Sequence, residues 1–322
     1  MSTPVSPPIL AAPQARSLML AATERLRAAG SPSPRLDAEL LVAHAFGRDR
    51  TWVHAHPDAV LDPGKAHELA AWVQRRAEGE PIAYIRGFKE WFGIRIAVDR
   101  RALIPRPETE LLAESAIAEI ATRLTADSRA VIAWDVATGS GAVAVALALR
   151  FRTALALRRV RLVASDLAPE ALELAAENLA RHGAASLATL ALGDLLEGAG
   201  GGEMPAAAAR LPRPDVVTAN LPYLTTAEVA TAPGSIAYEP ALALDGGPDG
   251  LNVIRRLLSQ LPERLAPGGV ALLEIGAGQA STVGELAGEL GMPAAVTLLP
   301  DLAGIPRVAR IARLDAGMGD PS

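Results

Sequence analysis

Apolar positions along the chain follow two rhythms. From Ala15 to about Gly87 they recur at helical spacing. Leu18, Leu20, Ala22 and Leu26 open one stretch, and Leu36, Leu40, Leu41 and His44 share one face of a second, with Phe46 just beyond. Ser33 is placed to cap that second helix, with Pro34 at its first position. Residues 66–76 read as a further helix. This spacing predicts a small helical bundle with little polar chemistry. Phe88 to Ile104 changes character: Trp91, Phe92, Ile94, Ile96 and Val98 include a period-2 alternation, with turn residues at Gly93 and Asp99-Arg100, which predicts a β-hairpin. Pro107 with Glu108 and Glu110 then suits a helix start, because acids favour the positive end of the helix dipole. Leu112, Ala116, Ile120 and Leu124 continue that helix on one face.

From about Ala130 the rhythm becomes strand then helix. Strand-like runs at 130–136, 160–165, 215–219 and 269–275 alternate with helical stretches at 143–149, 168–182 and 251–265. Such alternation predicts an α/β fold with a doubly wound, mostly parallel sheet. The run 197–214, rich in Gly, Ala and Pro, reads as a flexible loop. The organisation expected is a tail at 1–14, a helical domain at 15–87, a hairpin linker at 88–104, the α/β domain at 105–315 and a tail at 316–322.

Composition narrows the chemistry. Half of the 322 residues are hydrophobic but only 3% are aromatic, so alanine does much of the core filling. A net charge of -5 provides no global positive field to recruit nucleic acid. The absence of cysteine rules out disulfides, thiolate metal sites and Cys nucleophiles. The five histidines are scattered, and His54-x-His56 has no third ligand beside it, so no metal is expected. No charged n-region precedes a continuous apolar stretch, and no apolar run is long enough to span a bilayer. A cytoplasmic protein is expected.

Three strand ends carry candidate chemistry. Asp135-Val136-Ala137-Thr138-Gly139-Ser140-Gly141 leaves a strand and enters a helix; its glycines permit close backbone approach to a ligand, and the helix start adds free N–H groups. Asp166 follows the next strand, where an acid can grip ribose hydroxyls. Gly139-x-Gly141-x-x-Ala144 also fits the relaxed dinucleotide fingerprint, so this element alone does not separate NAD from S-adenosylmethionine. Asp135 weighs toward the latter, since a carboxylate there can hold a charged amino group. Asp194, after a third apolar run, can accept from an adenine amino group or simply belong to a turn. Asn220-Leu221-Pro222-Tyr223 ends a fourth strand. The Asn220 side-chain oxygen and the Leu221 carbonyl can each accept from one NH2 group, Pro222 biases Leu221 toward an extended conformation, and the Tyr223 ring can cover a flat substrate group. Asn, Pro and Tyr at a strand end also make a common turn.

Together these runs resemble the HemK/PrmC family of N(5)-glutamine methyltransferases, which modify peptide chain release factors. The similarity extends from about Leu18 to Arg313. The family's I-P-R-P-[DE]-T-E run is matched by Ile104 to Glu110, its D-x-G-T-G-S-G run by Asp135 to Gly141, and its N-P-P-Y signature by Asn220 to Tyr223. Glu239-Pro240-Ala241-Leu242, Leu273-Glu274-Ile275-Gly276 and Gln279 agree with it. The resemblance implies a Rossmann-like class I methyltransferase domain that uses S-adenosyl-L-methionine. Asp135, the 137–141 loop, Asp166, Asp194, Leu195 and Asn220 would lie at the donor, and Asn220 to Tyr223 would hold the substrate glutamine of a Gly-Gly-Gln motif. The helical N-terminal domain would recognise the release factor. Nucleic acid and membrane are not expected as partners. The alternatives that share the tetrapeptide are a ribosomal-protein glutamine methyltransferase and an adenine amino-methyltransferase acting on DNA or RNA.

There are three departures from the family pattern. Ala137 replaces a glycine, which is tolerable only if its φ is negative. Leu221 replaces a proline, which a backbone-carbonyl role allows if the residue is extended with its carbonyl facing the pocket. Ile305-Pro306 alters the terminal segment.

Overall fold

The structure, a computed structural model, describes residues 13–198, 213–232 and 234–314. The expected tail at 316–322, most of the tail at 1–14 and most of the loop at 197–214 lie outside the described residues. The chain divides into two compact units, one holding 13–87 with Gly234–Tyr238, the other 88–198, 213–232 and 239–314.

The first unit is helical: α1 (Ala15–Ala28), α2 (Pro34–Phe46), α3 (Arg50–Ala55), α4 (Pro63–Ala77) and α5 (Ile82–Arg86). Its core face on α2 is rotated from the predicted stripe. Leu36 is exposed, and Ala38, Val42 and Ala45 join the predicted Leu41 in the core. Ser33 precedes α2, with Pro34 in its first turn, but its hydroxyl makes no cap; it donates to Asp37 Oδ1 at 2.9 Å. That reflects a polar centre the periodicity hid. Asp37 is buried, and its carboxylate takes the Ser31 hydroxyl at 2.7 Å and Arg76 Nε at 2.8 Å. A carboxylate and guanidinium out of water need such mutual satisfaction, so the bundle is less bland than its hydropathy suggests. The segment Gly234–Tyr238, remote in sequence, joins this unit, with the Tyr238 hydroxyl donating to the Glu78 carbonyl at 3.0 Å.

The second unit opens with a short hairpin, β1 (Phe88–Trp91) and β2 (Ile94–Ala97), turned at Phe92-Gly93, both of which have positive φ. Then follow α6 (Thr109–Ala126), β3 (Val131–Val136), α7 (Ala142–Arg150), α8 (Arg152–Ala156), β4 (Val160–Asp166), α9 (Pro169–Arg181), β5 (Ala188–Asp194), β6 (Glu197–Gly198), β7 (Val216–Asn220), α10 (Thr226–Ala230), α11 (Asn252–Arg264), β8 (Val270–Glu274), α12 (Ala280–Gly288), β9 (Ala294–Pro300) and β10 (Pro306–Arg313). The eight strands order as β6-β5-β4-β3-β7-β8-β10-β9. β5, β4, β3, β7 and β8 are parallel, and β10 runs antiparallel to both β8 and β9. This is the doubly wound, mostly parallel sheet read from the alternation. Every residue of β3 and β8 is buried, which is why those strands read as continuous apolar runs. Pro306 stands at the start of β10, next to a register shift before Val308, where a missing N–H is tolerated.

Strand order reverses around β3: the chain goes from β3 to β4 on one side and returns to β7 on the other. In open α/β sheets, ligands bind beyond the carboxyl ends of the strands at such a switch point.

Candidate active site

The carboxyl ends of β3, β4, β5 and β7 surround one cavity, whose walls include Asp135, Asp166, Asp194 and Asn220. Asp135, near the end of β3, is buried. Its Oδ1 accepts from the Thr218 hydroxyl at 2.7 Å and its Oδ2 from the Thr138 hydroxyl at 2.6 Å. Burial pushes its carboxyl up to about 6, against the opposing pull of those two hydroxyls. The chain then turns through Ala137, Thr138, Gly139 and Ser140, with Gly141 capping α7. Gly141, at φ 77°, packs so closely on α9 that an added Cβ would lie 2.9 Å from the Ala175 methyl. Ala137 has φ 53°. The expectation of a negative φ there is therefore overturned: the turn imposes the left-handed region, and alanine occupies it despite the clash of its Cβ with the backbone.

Asp166 ends β4. Its Oδ2 accepts the Gly139 N–H at 2.8 Å and its Oδ1 the Ala168 N–H at 3.0 Å. Burial raises its pKa, and backbone donors from Ala168 and Gly139 oppose the rise. Each of these oxygens retains a second lone pair. Asp194, at the end of β5, is paired with Arg256 at 2.6 Å. Leu195 follows it, buried against the cavity at φ 60°.

The tetrapeptide is built into the end of β7. Asn220 Nδ2 donates to the Thr109 hydroxyl at 3.1 Å. That bond assigns the amide: its nitrogen faces Thr109, leaving Oδ1 as the group to accept from elsewhere. Leu221 and Pro222 also line the cavity, while the Leu221 side chain is buried in the core beneath. Tyr223 is not among the cavity-lining residues. Its ring edge lies 3.2 Å from where a Cβ on Gly276 would stand, and burial raises its pKa. The backbone behind this turn is clamped. A Cβ on Gly246 would meet the Pro222 carbonyl at 2.7 Å and one on Gly250 the Tyr223 carbonyl at 2.3 Å. Gln279 Nε2 donates to that same Tyr223 carbonyl at 3.0 Å, while its Oε1 takes the Gly276 N–H at 2.8 Å. Only glycine fits at 246 and 250.

Two distant sequence runs meet beside the site. Glu239 is buried, accepting the Ile104 N–H at 3.0 Å and pairing with Arg106 at 2.6 Å. Trp91 Nε1 donates to the Arg106 carbonyl at 2.8 Å, and Glu110 takes the Phe92 N–H at 2.9 Å. The segment 104–110 is thereby fixed between the hairpin and α6, which brings Thr109 to Asn220. Sequence reasoning did not single out Thr109 or Asn178. Fully buried, Asn178 accepts from Ala97 N–H at 2.8 Å and donates to the carbonyls of Ala97 and Ser140 at 2.9 and 2.8 Å. An asparagine inside the helical stretch predicted at 168–182 was the one available signal.

Among the described residues no group of His, Asp and Glu side chains is arranged to hold a metal, and no helix is long and apolar enough to cross a membrane.

Comparison with known proteins places the chain. Residues 17–87 match the PrmC N-terminal domain. A release factor glutamine methyltransferase of Deinococcus radiodurans is 38% identical over 93% of this chain and 99% of that protein. Another of the same name, from Moorella thermoacetica, is 37% identical over 88% of this chain and 93% of its own length. Among solved structures, the hMettl16 catalytic domain in complex with MAT2A 3'UTR hairpin 6 superposes with a TM-score of 0.50 at 14% identity, over 80% of this chain and 84% of that one, a likeness of fold alone.

Proposed function

The chain belongs to the release factor glutamine methyltransferase family, and from that premise we propose that it transfers a methyl group from S-adenosyl-L-methionine to the side-chain nitrogen of a release-factor glutamine, the Gly-Gly-Gln residue. The single observation that carries the site assignment is the orientation of Asn220: with Nδ2 spent on Thr109, its Oδ1 is the acceptor offered to an NH2 group.

The donor fits the residues present. Three carboxylates, Asp135, Asp166 and Asp194, stand at three strand ends around one cavity. They suit a cation that also carries hydroxyls and amino groups, and they oppose the pyrophosphate of a dinucleotide. Asp135 would hold the amino group, Asp166 the ribose, and Leu195 with Asp194 the adenine side. When bound, S-adenosylmethionine supplies an electrophilic methyl on a sulfonium that is already a good leaving group.

The protein's own task is then the nucleophile. A carboxamide nitrogen is weak because its lone pair is delocalised into the carbonyl. Asn220 Oδ1 and the Leu221 carbonyl accept its two N–H bonds, which localises electron density on nitrogen and stabilises the positive charge that develops there. They also aim it, since the displacement requires nucleophile, carbon and sulfur nearly in line. A buried Leu221 side chain fits a role exercised through the main chain, so the residue's departure from proline leaves the acceptor in place. Pro222 restrains that carbonyl, and the glycine clamp at 246 and 250 keeps the turn from yielding.

The test is a methyl-transfer assay with labelled S-adenosylmethionine and, separately, a release factor, a ribosomal protein fraction, tRNA and DNA. Label enters the release factor. Label in ribosomal protein or nucleic acid, with none in the release factor, would overturn the reading.

A further inference from the structure

Behind Asn220 stands an acid that the reaction as described does not use. Glu274 ends β8, and its Cα is the register partner of Asn220 across the parallel pair. It is 2% exposed. The Thr109 hydroxyl is the neighbouring group that most favours its ionised form, and its Oε2 is buried with no hydrogen-bond partner. A carboxyl with an unpaired oxygen in a core costs stability, and its burial pushes it up to about 7. The charged groups around it offer no ion pair in return. Arg106 is paired with Glu239, Arg307 with Asp301 at 3.2 Å, and Glu108 and the Tyr223 hydroxyl are themselves acidic.

The three groups form a chain with a direction. Thr109 has one hydroxyl proton. An ionised carboxylate only accepts, so it draws that proton toward Glu274. The Thr109 oxygen is then left to accept, and only the NH2 side of Asn220 can donate to it. We infer that Glu274 is a positioning residue which, through Thr109, locks the Asn220 amide with Oδ1 facing the substrate. With the opposite flip, Asn220 would present NH2 to the NH2 of the substrate glutamine, two donors facing each other. A buried acid one hydroxyl away thus sets the specificity for an amide nitrogen. This inference rests on the glutamine-methylation reading above.

The experiment measures kcat, KM for a release factor and donor affinity in Glu274→Gln, Thr109→Val, Thr109→Ser and the Thr109→Val/Glu274→Gln double variant, with thermal stability recorded for each. Glu274→Gln keeps the shape but can donate, so the lock is lost. It is expected to lower kcat by about tenfold or more, an amide hydrogen bond's worth, without loss of thermal stability or donor affinity. Thr109→Val falls similarly, Thr109→Ser recovers most of the activity, and the double variant is no worse than Thr109→Val alone. In the wild type, kcat rises with pH as Glu274 ionises, and this rise is absent from Glu274→Gln. Wild-type kcat in Glu274→Gln, losses that multiply in the double variant, or a loss that tracks thermal stability would each overturn the inference. An inactive wild type would instead indict the substrate assignment.

Discussion

At the scale of single residues, the site holds conformations that sequence patterns do not display. Ala137 and Leu195 both have positive φ and both line the cavity. The left-handed region costs a non-glycine residue about 1–2 kcal/mol, and such strain is sustained only where the surroundings fix it. Ala137→Gly relieves the strain but adds freedom to the unfolded chain. A net gain of about 1 kcal/mol is expected in denaturant unfolding. Asp135 carries a second prediction. If it holds the donor's amino group as a carboxylate, protonation below about pH 6 removes that charge. Donor affinity measured by titration calorimetry should then weaken by about tenfold per pH unit below that value, and Asp135→Asn should abolish the dependence. The identity of these residues was legible from their place after apolar runs, whereas their backbone angles and hydrogen-bond partners were not. Asp135 reads the same whether free or bonded to Thr138 and Thr218.

At the scale of elements, the buried parallel strands announced themselves and the edge did not. β3 and β8 are covered on both faces and appear as unbroken apolar runs. β9 has no buried residue, β10 buries only Val308, Ala309 and Ile311 among partly exposed neighbours, and neither strand was anticipated. The hairpin was legible from its alternation, but its anchorage was not. Asn178, on α9, satisfies both the N–H and C=O of Ala97 and also the Ser140 carbonyl. One side chain therefore joins β2 to the loop that follows β3. Asn178→Ala leaves buried backbone groups unpaired, at about 1–3 kcal/mol each. Lowered stability, with faster hydrogen exchange in Phe88–Ala97 than elsewhere in the sheet, is expected. Protection unchanged at Ala97 would remove Asn178 from this role.

At the scale of the whole molecule, buried carboxyls sit above their ordinary values, Asp135 at about 6 and Glu274 at about 7. A raised value in the fold means the native state binds the proton more tightly than the unfolded chain. The stability from that proton is present below the unfolded values of 3.8 and 4.5 and is lost as pH rises through the folded ones. Glu274→Gln removes one such term. Its melting temperature should exceed that of the wild type above about pH 7, and the gap should close toward pH 4.5. Both buried carboxyls thus lower the stability of the fold as pH rises through their raised values.

The central claim is that the Asn220 amide oxygen receives a glutamine NH2 and directs the methyl to that nitrogen. The most direct measurement maps the methyl group, by peptide mass spectrometry, on a release factor treated with S-adenosylmethionine and either wild type or Asn220→Ala, with donor binding verified in both. The account predicts one modified residue, the glutamine of the Gly-Gly-Gln motif, methylated on its side-chain nitrogen by the wild type and unmodified by Asn220→Ala. A methyl group on any other residue, or wild-type transfer by Asn220→Ala, would contradict it.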